Sequence, residues 1–271
     1  DLDARDDNGD TPLSLAYRDG YPYCVRALIS AGANVNGEGA KSPPLHRASR
    51  RGHASTVRLL LKSGADPHFR DWKGETALHA AARGRDCTAT VSALVEGGAD
   101  PNAGDRPPLH YTKRPPPCYV ELLGEDANTR IHGPQGRTAL HVALMDSNCT
   151  TTILSALLDA GADPNARDDG GLMSLHYAVQ YRCSHFVTQL LLQAGADPHS
   201  RDIWHRTPLF CTTFDTERNP GWLEHALALR DAGADVDVTD EKDITPLYHA
   251  LFRQEVGTAC SLLRLGADPY V

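Results

Sequence analysis

The chain lacks the features that mark several large classes of protein. No apolar run approaches the roughly 18 residues that a membrane-spanning helix needs, so a membrane association is not predicted. Basic residues do not exceed acidic ones, since the formal net charge is −8 and the pI is ≈ 5.9. A nucleic-acid partner held by bulk positive charge is therefore not expected.

Motifs for cofactors and metal ions are also missing. The sequence has no Gly-x-x-x-x-Gly-Lys-Ser/Thr loop and no Gly-x-Gly-x-x-Gly loop, so nothing predicts a cradle for nucleotide phosphates. It has neither a His-Glu-x-x-His nor a Cys-x-x-Cys motif, although 13 histidines are present. We expect no cofactor, no metal ion and no catalytic residues.

Cysteine usage indicates a reducing environment. The seven cysteines are odd in number and scattered along the chain, which is typical of free thiols rather than of a disulfide framework. The chain shows no signal peptide and begins without Met, inside a repeated motif. We expect it to be part of a longer protein of the cytoplasm or nucleus.

One short motif is present in many copies. Each copy opens on a tetrapeptide with Leu in third place, and all but the fourth end on Gly-Ala-Asp or Gly-Ala-Asn. The eight openings are Thr11-Pro-Leu-Ser, Pro43-Pro-Leu-His, Thr76-Ala-Leu-His, Pro107-Pro-Leu-His, Thr138-Ala-Leu-His, Met173-Ser-Leu-His, Thr207-Pro-Leu-Phe and Thr245-Pro-Leu-Tyr. This repetition predicts one repeat domain over residues 1–271.

The residues of a single copy predict a pair of helices. In the second copy, apolar residues recur at helical spacing on both sides of Gly52-His53. They are Leu45, Ala48, Val57, Leu60 and Leu61. Thr or Pro at the opening suits a helix start, and Gly64 stands where a helix end needs a left-handed residue. Turn residues between copies, such as Asp71-Trp-Lys-Gly, predict hairpin-like fingers.

The openings, the endings and the spacing together resemble the ankyrin repeat family, and the resemblance covers essentially the whole chain. It implies an all-α solenoid of stacked helix-turn-helix copies with fingers and a concave face. It further implies a non-catalytic module for protein–protein interaction. In this family the His that follows the Leu bonds to backbone between copies. The histidines in that slot are His46, His79, His110, His141 and His176.

Two tryptophans stand at predicted finger tips, where the family usually carries polar residues. They are Trp72 and Trp204. Exposed aromatic side chains in such places are candidate anchors for a partner. The alternative is that each ring folds back over the adjacent finger.

The first helices differ between the two ends of the chain. The early copies carry a basic set and the later copies an aromatic set. The candidate partner-binding residues are Arg47, Arg50, Arg51 and Arg83 in the basic set and Tyr177, Tyr181 and Phe214 in the aromatic set. We therefore predict a protein or peptide partner with acidic and apolar residues. Ordinary solvated arginines, paired with finger carboxylates such as Asp71, are the alternative.

The fourth copy, Pro107 to Asn128, departs most from the others. It is shorter, and Pro115-Pro-Pro ends its first helix early, so we expect a bend or a notch between the third and fifth copies. A second possible function, an atypical enzyme or small-molecule binder, would use this centre around residues 107–132. Its polar groups would be Tyr111, Lys113, His132 and Tyr177.

Overall fold

A computed structural model describes residues 1–4, 6, 11–18, 21–37, 43–71, 73–84, 87–105, 136–146, 150–181, 183–214 and 221–270. Within these ranges the chain forms α-helices and turns and has no β-strand, which confirms the all-α prediction. No helix in the same ranges is long and apolar enough to cross a membrane.

The helices come in pairs, one pair for each copy that the structure describes. The first copy has α1 (Pro12–Arg18) and α2 (Pro22–Ser30), the second α3 (Pro44–Arg50) and α4 (Ala54–Lys62), and the third α5 (Ala77–Ala82) and α6 (Thr88–Glu96). The fifth copy has α7 (Ala139–Met145) and α8 (Thr151–Asp159), and the sixth α9 (Ser174–Gln180) and α10 (His185–Gln193). The seventh has α11 (Pro208–Cys211) and α12 (Trp222–Asp231), and the eighth α13 (Pro246–Phe252) and α14 (Val256–Arg264). We call the two members of a pair the first and second helix.

The motif residues set where each helix begins and ends. The Thr207 hydroxyl accepts a hydrogen bond from the Phe210 N–H at 3.2 Å, which caps the first turn of α11. Thr245 caps α13 in the same way. The second helices stop at a glycine with left-handed backbone, such as Gly64 with φ 89°, as predicted.

The core is a double row of leucines. One row comes from the opening motifs and the other from the second helices, and every member is 4% exposed or less. The rows are Leu13, Leu45, Leu78, Leu140, Leu175, Leu209 and Leu247, then Leu60, Leu94, Leu157, Leu191, Leu229 and Leu262. Each buried leucine contributes on the order of 2 kcal/mol, and a single copy has too few of them to fold alone.

The described chain divides into two compact units. The N-terminal unit contains Asp1–Ala143 and Thr152–Ala162, and the C-terminal unit contains Leu144–Thr151 and Asp163–Val271. In the N-terminal unit, first helices pack on first helices (α1 on α3, α3 on α5) and second helices on second helices (α2 on α4, α4 on α6). In the C-terminal unit, α9 packs on α11 and α10 on α12. A single domain over residues 1–271 stays a prediction.

An aspartate closes several of the fingers that the structure describes. The Asp71 carboxylate accepts a hydrogen bond from the Glu75 N–H at 3.0 Å, and the Asp71 N–H donates to the Glu75 carbonyl at 2.9 Å. Asp168, Asp202 and Asp240 repeat this pattern with the residue four places on. A short acceptor side chain is needed for this turn, which explains the recurring Asp and confirms the predicted turn chemistry.

The third and fifth copies meet directly. Asp105 and Arg137 make the same two hydrogen bonds that close the other fingers. The Arg137 N–H donates to the Asp105 carboxylate at 2.8 Å, and the Asp105 N–H donates to the Arg137 carbonyl at 2.7 Å. The Asn102 side-chain amide donates to the Gly161 carbonyl at 3.1 Å, as Asn165 does to the next copy in the C-terminal unit. The third and fifth copies are thus in direct hydrogen-bond contact at their fingers, and the bend or notch expected from the fourth copy stays a prediction.

Residues 106–135 lie outside the described residues. They include the fourth copy, Pro107 to Asn128, and three groups of the small-molecule hypothesis, Tyr111, Lys113 and His132.

Candidate functional site

The repeated histidines are structural. His46 Nε2 lies 2.8 Å from the Glu75 carbonyl and His176 Nε2 lies 3.1 Å from the Arg206 carbonyl, each in the next copy. The Nδ1 atom of His176 accepts from the Met173 N–H at 3.2 Å. Since a carbonyl can only accept, Nε2 carries the proton and the ring is neutral. Burial lowers the pKa of His176 to about 4, which is consistent with this state. The predicted backbone bond between copies is confirmed for His46, His79 and His176, and His110 lies outside the described residues.

One position on the first helices varies while its surroundings do not. It lies six residues after the first residue of each first helix, and it is at least partly exposed in every copy whose side chain is described there. Its occupants are Arg50, Arg83, Met145, Gln180, Phe214 and Phe252. We call it the variable position. The stack imposes no residue type here, so this position is free to serve recognition.

Three arginines gather at the end of α3 in the N-terminal unit. Arg50 and Arg51 are exposed, and Arg47 is half-buried. Neither Arg50 nor Arg51 makes a side-chain hydrogen bond or ion pair with any residue that the structure describes. Their guanidinium groups are therefore available to an acidic partner.

Arg83, at the variable position of the third copy, has an internal partner. Its guanidinium forms an ion pair with Glu75, whose side chain is 8% exposed. Burial raises the pKa of Glu75, but the hydrogen bond and charge of Arg83 outweigh it, so the pKa lies below its usual value. The salt-bridged alternative thus applies to Arg83, with Glu75 rather than Asp71 as its partner.

Tyr177 and Tyr181 form a stacked pair in the C-terminal unit. Their ring centroids are 5.4 Å apart at an interplanar angle of 19°. Tyr177 is 1% exposed and its hydroxyl donates to the Asp168 carboxylate at 2.7 Å, whereas Tyr181 is 39% exposed. Burial raises the pKa of Asp168, and the Tyr177 hydrogen bond offsets this only in part. Tyr177 thus supports Tyr181 and has almost no surface of its own for a partner.

Trp204 is half-buried and is held by an arginine of its own finger. The Arg206 guanidinium carbon lies 4.3 Å from the centroid of the Trp204 ring and 5.2 Å from that of Phe214. The ring is therefore neither free in solvent nor fully folded away. Trp72 lies outside the described residues.

Phe214 stands at the variable position of the seventh copy and is half-buried. Its ring is 4.8 Å from the His249 ring, edge to face, and 5.7 Å from the Phe210 ring. Phe252, at the same position of the eighth copy, is 78% exposed. The aromatic set thus presents Tyr181, Phe214 and Phe252 at the surface of the C-terminal unit.

Sequence reasoning missed Arg206 and His249. A signal for Arg206 was present, because an Arg directly precedes the opening Thr in two copies, at Arg137 and Arg206. No comparable signal marks His249, which stands where other copies carry Ala80 or Tyr177.

Metal-ligating and nucleophilic side chains are scattered rather than clustered in the described residues. No cluster of three or more His, Cys, Asp or Glu side chains there could hold a metal ion. Five of the cysteines are described, and all five are free thiols. Burial raises the pKa of Cys211 to about 12, so its thiol stays protonated at neutral pH.

A family sequence model described as ankyrin repeats in three copies matches residues 1–71, 45–113 and 114–202. E3 ubiquitin-protein ligase KEG of Arabidopsis thaliana is 29% identical over 232 residues, which is 66% of this chain and 14% of that protein. The B-cell lymphoma 3 protein homolog of Mus musculus is 28% identical over 189 residues, 64% of this chain and 41% of that protein. Human ankyrin repeat and SOCS box protein 16 is 36% identical over 183 residues, 58% and 39% of the two chains. The chain spans less than half the length of these relatives.

Two solved structures have the same fold. The ankyrin repeat domain of Bcl-3 matches with a TM-score of 0.67 and 28% identity, over 95% of this chain and all of that one. The human ASB11 ankyrin repeat domain matches with a TM-score of 0.69 over 96% of this chain, and its 21% identity supports the fold alone. Such domains typically have no enzymatic activity. The paired helices, the bonded histidines and these matches agree: the chain belongs to the ankyrin repeat family, whose domains are protein-interaction modules.

Proposed function

We propose that this module binds a protein or peptide segment with acidic and apolar side chains through its first helices and fingers. The observation that carries this proposal is the variable position. Around it, the leucines and histidines that build the stack are buried and nearly uniform. At it, Arg50 and Arg83 of the early copies give way to Phe214 and Phe252 of the last two, and all four side chains are at least partly exposed. Variation confined to an exposed position on a constant scaffold is what a recognition surface requires.

In the N-terminal unit the binding residues are arginines. Arg50 and Arg51 are the available cations, Arg47 lies beside them, and Glu75 fixes the orientation of Arg83. An arginine side chain can hold a carboxylate with two parallel hydrogen bonds, which a lysine cannot do. Aspartate or glutamate side chains of the partner are therefore the expected ligands of this unit.

In the C-terminal unit the binding residues are aromatic. Tyr181, Trp204 and Phe214 each keep part of a ring at the surface while a neighbour fixes the ring in place. Rigid, partly buried aromatic rings bury much area at low entropic cost, which favours apolar side chains of a partner. Trp72 belongs to this proposal by its place on the third finger.

The cell compartment is part of the proposal. The free thiols Cys24, Cys87, Cys183, Cys211 and Cys260 suit the reducing cytoplasm or nucleus. The proposal includes no nucleic-acid and no lipid partner, and it treats residues 1–271 as one binding domain. Fractionation of cells that express the tagged chain would test the compartment.

Selection from a phage library of random dodecapeptides would test the function. We expect the selected peptides to be enriched in Asp or Glu together with Leu, Phe or Tyr. The double variant R50E R51E should weaken their binding by about tenfold or more, because two attractive charges become repulsive. The matched control is R58E. Arg58 is also an exposed arginine of the second copy, but it lies on the second helix, 3.9 Å from Glu96.

Equal weakening by R58E would contradict the assignment to the first helices. A selection that enriches no peptide over an unrelated helical protein would contradict the proposed function as a whole.

A further inference from the structure

The Asp202–Arg206 pair lies in the finger that precedes the seventh copy, and one side of the pair is exposed to solvent. Arg206 donates from Nε to the Asp202 carboxylate at 2.8 Å, and its Nη2 lies 2.6 Å from the same oxygen. The Asp202 side chain is fully buried, whereas that of Arg206 is 24% exposed. The pair thus presents only its cationic member to the surface.

The N-terminal unit contains a second pair of this kind. Arg137 donates from Nε to Asp105 at 2.9 Å, and its Nη2 lies 2.7 Å from that carboxylate. In both fingers the pair fastens the turn to the start of the following helix. This structural task explains the Asp and the Arg in each case, but it does not explain why Trp204 and Phe214 flank Arg206.

The flanking rings hold the Arg206 guanidinium as a planar donor between two apolar surfaces. Trp204 lies 4.3 Å and Phe214 5.2 Å from its central carbon. Nε and Nη2 are engaged with Asp202, and Nη1 has no hydrogen-bond partner among the residues that the structure describes. An unused N–H group beside two partly exposed rings is suited to an acceptor that arrives together with an apolar group.

The surrounding charges favour a singly charged acceptor. Asp240 and the Arg253–Glu255 pair, with 3.0 Å between nitrogen and oxygen, lie close enough to affect His249 beside Phe214. Burial lowers the pKa of His249, so this ring adds no positive charge at neutral pH. With so little net positive charge, a carboxylate fits better than a doubly charged phosphate.

We propose that Trp204, Arg206 and Phe214 form one specificity site, which takes a Glu or Asp side chain of a partner segment with a neighbouring large apolar side chain. The carboxylate accepts from Nη1 of Arg206, and the apolar side chain covers Phe214 and the solvent-exposed part of the Trp204 ring. This inference rests on the proposed function and specifies which side chains of the partner the aromatic residues of the C-terminal unit bind. Because Asp202 and the rings hold Arg206 in place before binding, little side-chain entropy is lost on association.

Three fluorescein-labelled dodecapeptides test the site by fluorescence anisotropy with the whole chain. One alternates Glu with Leu, one Gln with Leu, and one Glu with Ser. We expect the Glu–Leu peptide to bind about tenfold more tightly than either of the others, since only it supplies both the carboxylate and the apolar group.

Three variants distinguish a role of Arg206 in partner recognition from its role in holding the finger together. R206K keeps a charge for Asp202 but loses the second donor edge, and we expect it to reduce the preference for Glu–Leu about fivefold or more. R137K weakens the matched pair in the other unit and should change that preference by less than about twofold. F214Q removes one ring and leaves the Asp202–Arg206 pair intact, so it should weaken Glu–Leu binding even if R206K folds poorly.

Each other result would overturn the inference. Equal losses in R206K and R137K would mean that the pair acts only through finger structure. An unchanged affinity in F214Q would exclude the ring from the site. If R50E R51E weakens the Glu–Leu peptide but R206K and F214Q do not, the site is refuted while the proposed function stands. If neither this peptide nor any phage-selected peptide binds, both are refuted.

Discussion

Asp105 and Arg137 are 32 residues apart in the chain, yet together they close one finger. In the other fingers the two partners are four residues apart, as in Asp202 and Arg206. The same shift affects the histidine bond, since His79 reaches 58 residues ahead to the Arg137 carbonyl while His46 reaches 29 to that of Glu75. Residues 106–135 therefore fall, in the sequence, between the two residues that close this finger.

The first prediction concerns this segment. Replacing residues 106–135 by two residues would give Asp105 and Gly136 the spacing that Asp71 and Gly74 have. We expect helical content and cooperative unfolding to persist, with a free energy of unfolding higher by up to about 2 kcal/mol, because closing a shorter loop costs less entropy. Urea unfolding followed by circular dichroism measures this.

The control for the first prediction deletes residues 106–135 without adding the two linking residues. That chain cannot form the turn, and it should unfold at a lower urea concentration than the parent. A two-residue replacement that loses helical signal would show that the third and fifth copies need the segment.

The second prediction concerns the buried carboxylate of the same finger. Arg137→Ala removes the cation beside Asp105, whose side chain is 4% exposed. We expect the free energy of unfolding to fall by about 3 kcal/mol, because a buried charge loses its partner. Arg70→Ala is the comparison, since Arg70 donates only to the Gly74 and Gly104 carbonyls, and it should cost about 1 kcal/mol. Chemical denaturation at pH 7 measures both, and equal losses would contradict the role of the charge.

The third prediction concerns acid sensitivity. The pKa of His176 is about 4 in the folded chain and near 6.5 when unfolded, so the unfolded chain binds the proton first as pH falls. Stability is fully present above pH 6.5 and is lost between about pH 6.5 and 4. We expect His176 alone to account for about 2 kcal/mol of the loss between pH 6.5 and 5. The H176Q variant, whose side chain does not titrate, should show a correspondingly shallower dependence in urea unfolding at the two pH values. Identical slopes would contradict this prediction.

The fourth prediction contrasts two glycines. A Cβ at Gly84 would lie 2.5 Å from the Arg50 carbonyl oxygen and 2.3 Å from the Cys87 sulfur, so Gly84→Ala should destabilise the chain by about 2 kcal/mol or more. A Cβ at Gly257, inside α14, would meet nothing within 4 Å. Gly257→Ala should therefore stabilise the chain by about 1 kcal/mol, the helix propensity difference. Thermal melting gives both signs, and a stable Gly84→Ala variant would refute the close packing of these copies.

Much of the fold could be predicted because the same motif residues recur from copy to copy. Buried leucines in the slots of Leu78 and Leu94 recur along the described copies, and burial of such a repeated pattern allows one arrangement of helices. The capping threonines and Gly64 follow from local backbone chemistry, which the sequence shows directly. The histidine bonds were implied by the resemblance to ankyrin repeats.

Less of the candidate site could be predicted. The sequence grouped Tyr177 with Tyr181, but it does not show that only Tyr181 keeps its ring at the surface. Arg206 was missed because its neighbour Phe214 lies beyond the end of α11, and only folding brings that ring to the finger. Nothing in the fourth copy, which opens at Pro107-Pro-Leu-His, indicates that Asp105 is bonded to Arg137.

The sequence by itself therefore determined the helix pairs, the leucine rows and the membership in a repeat family, because these depend on spacing along the chain. The tertiary structure alone decided which copies are neighbours, which arginines stay available and which rings are open. Those properties depend on hydrogen bonds and contacts between residues far apart in the chain, and no local pattern encodes them.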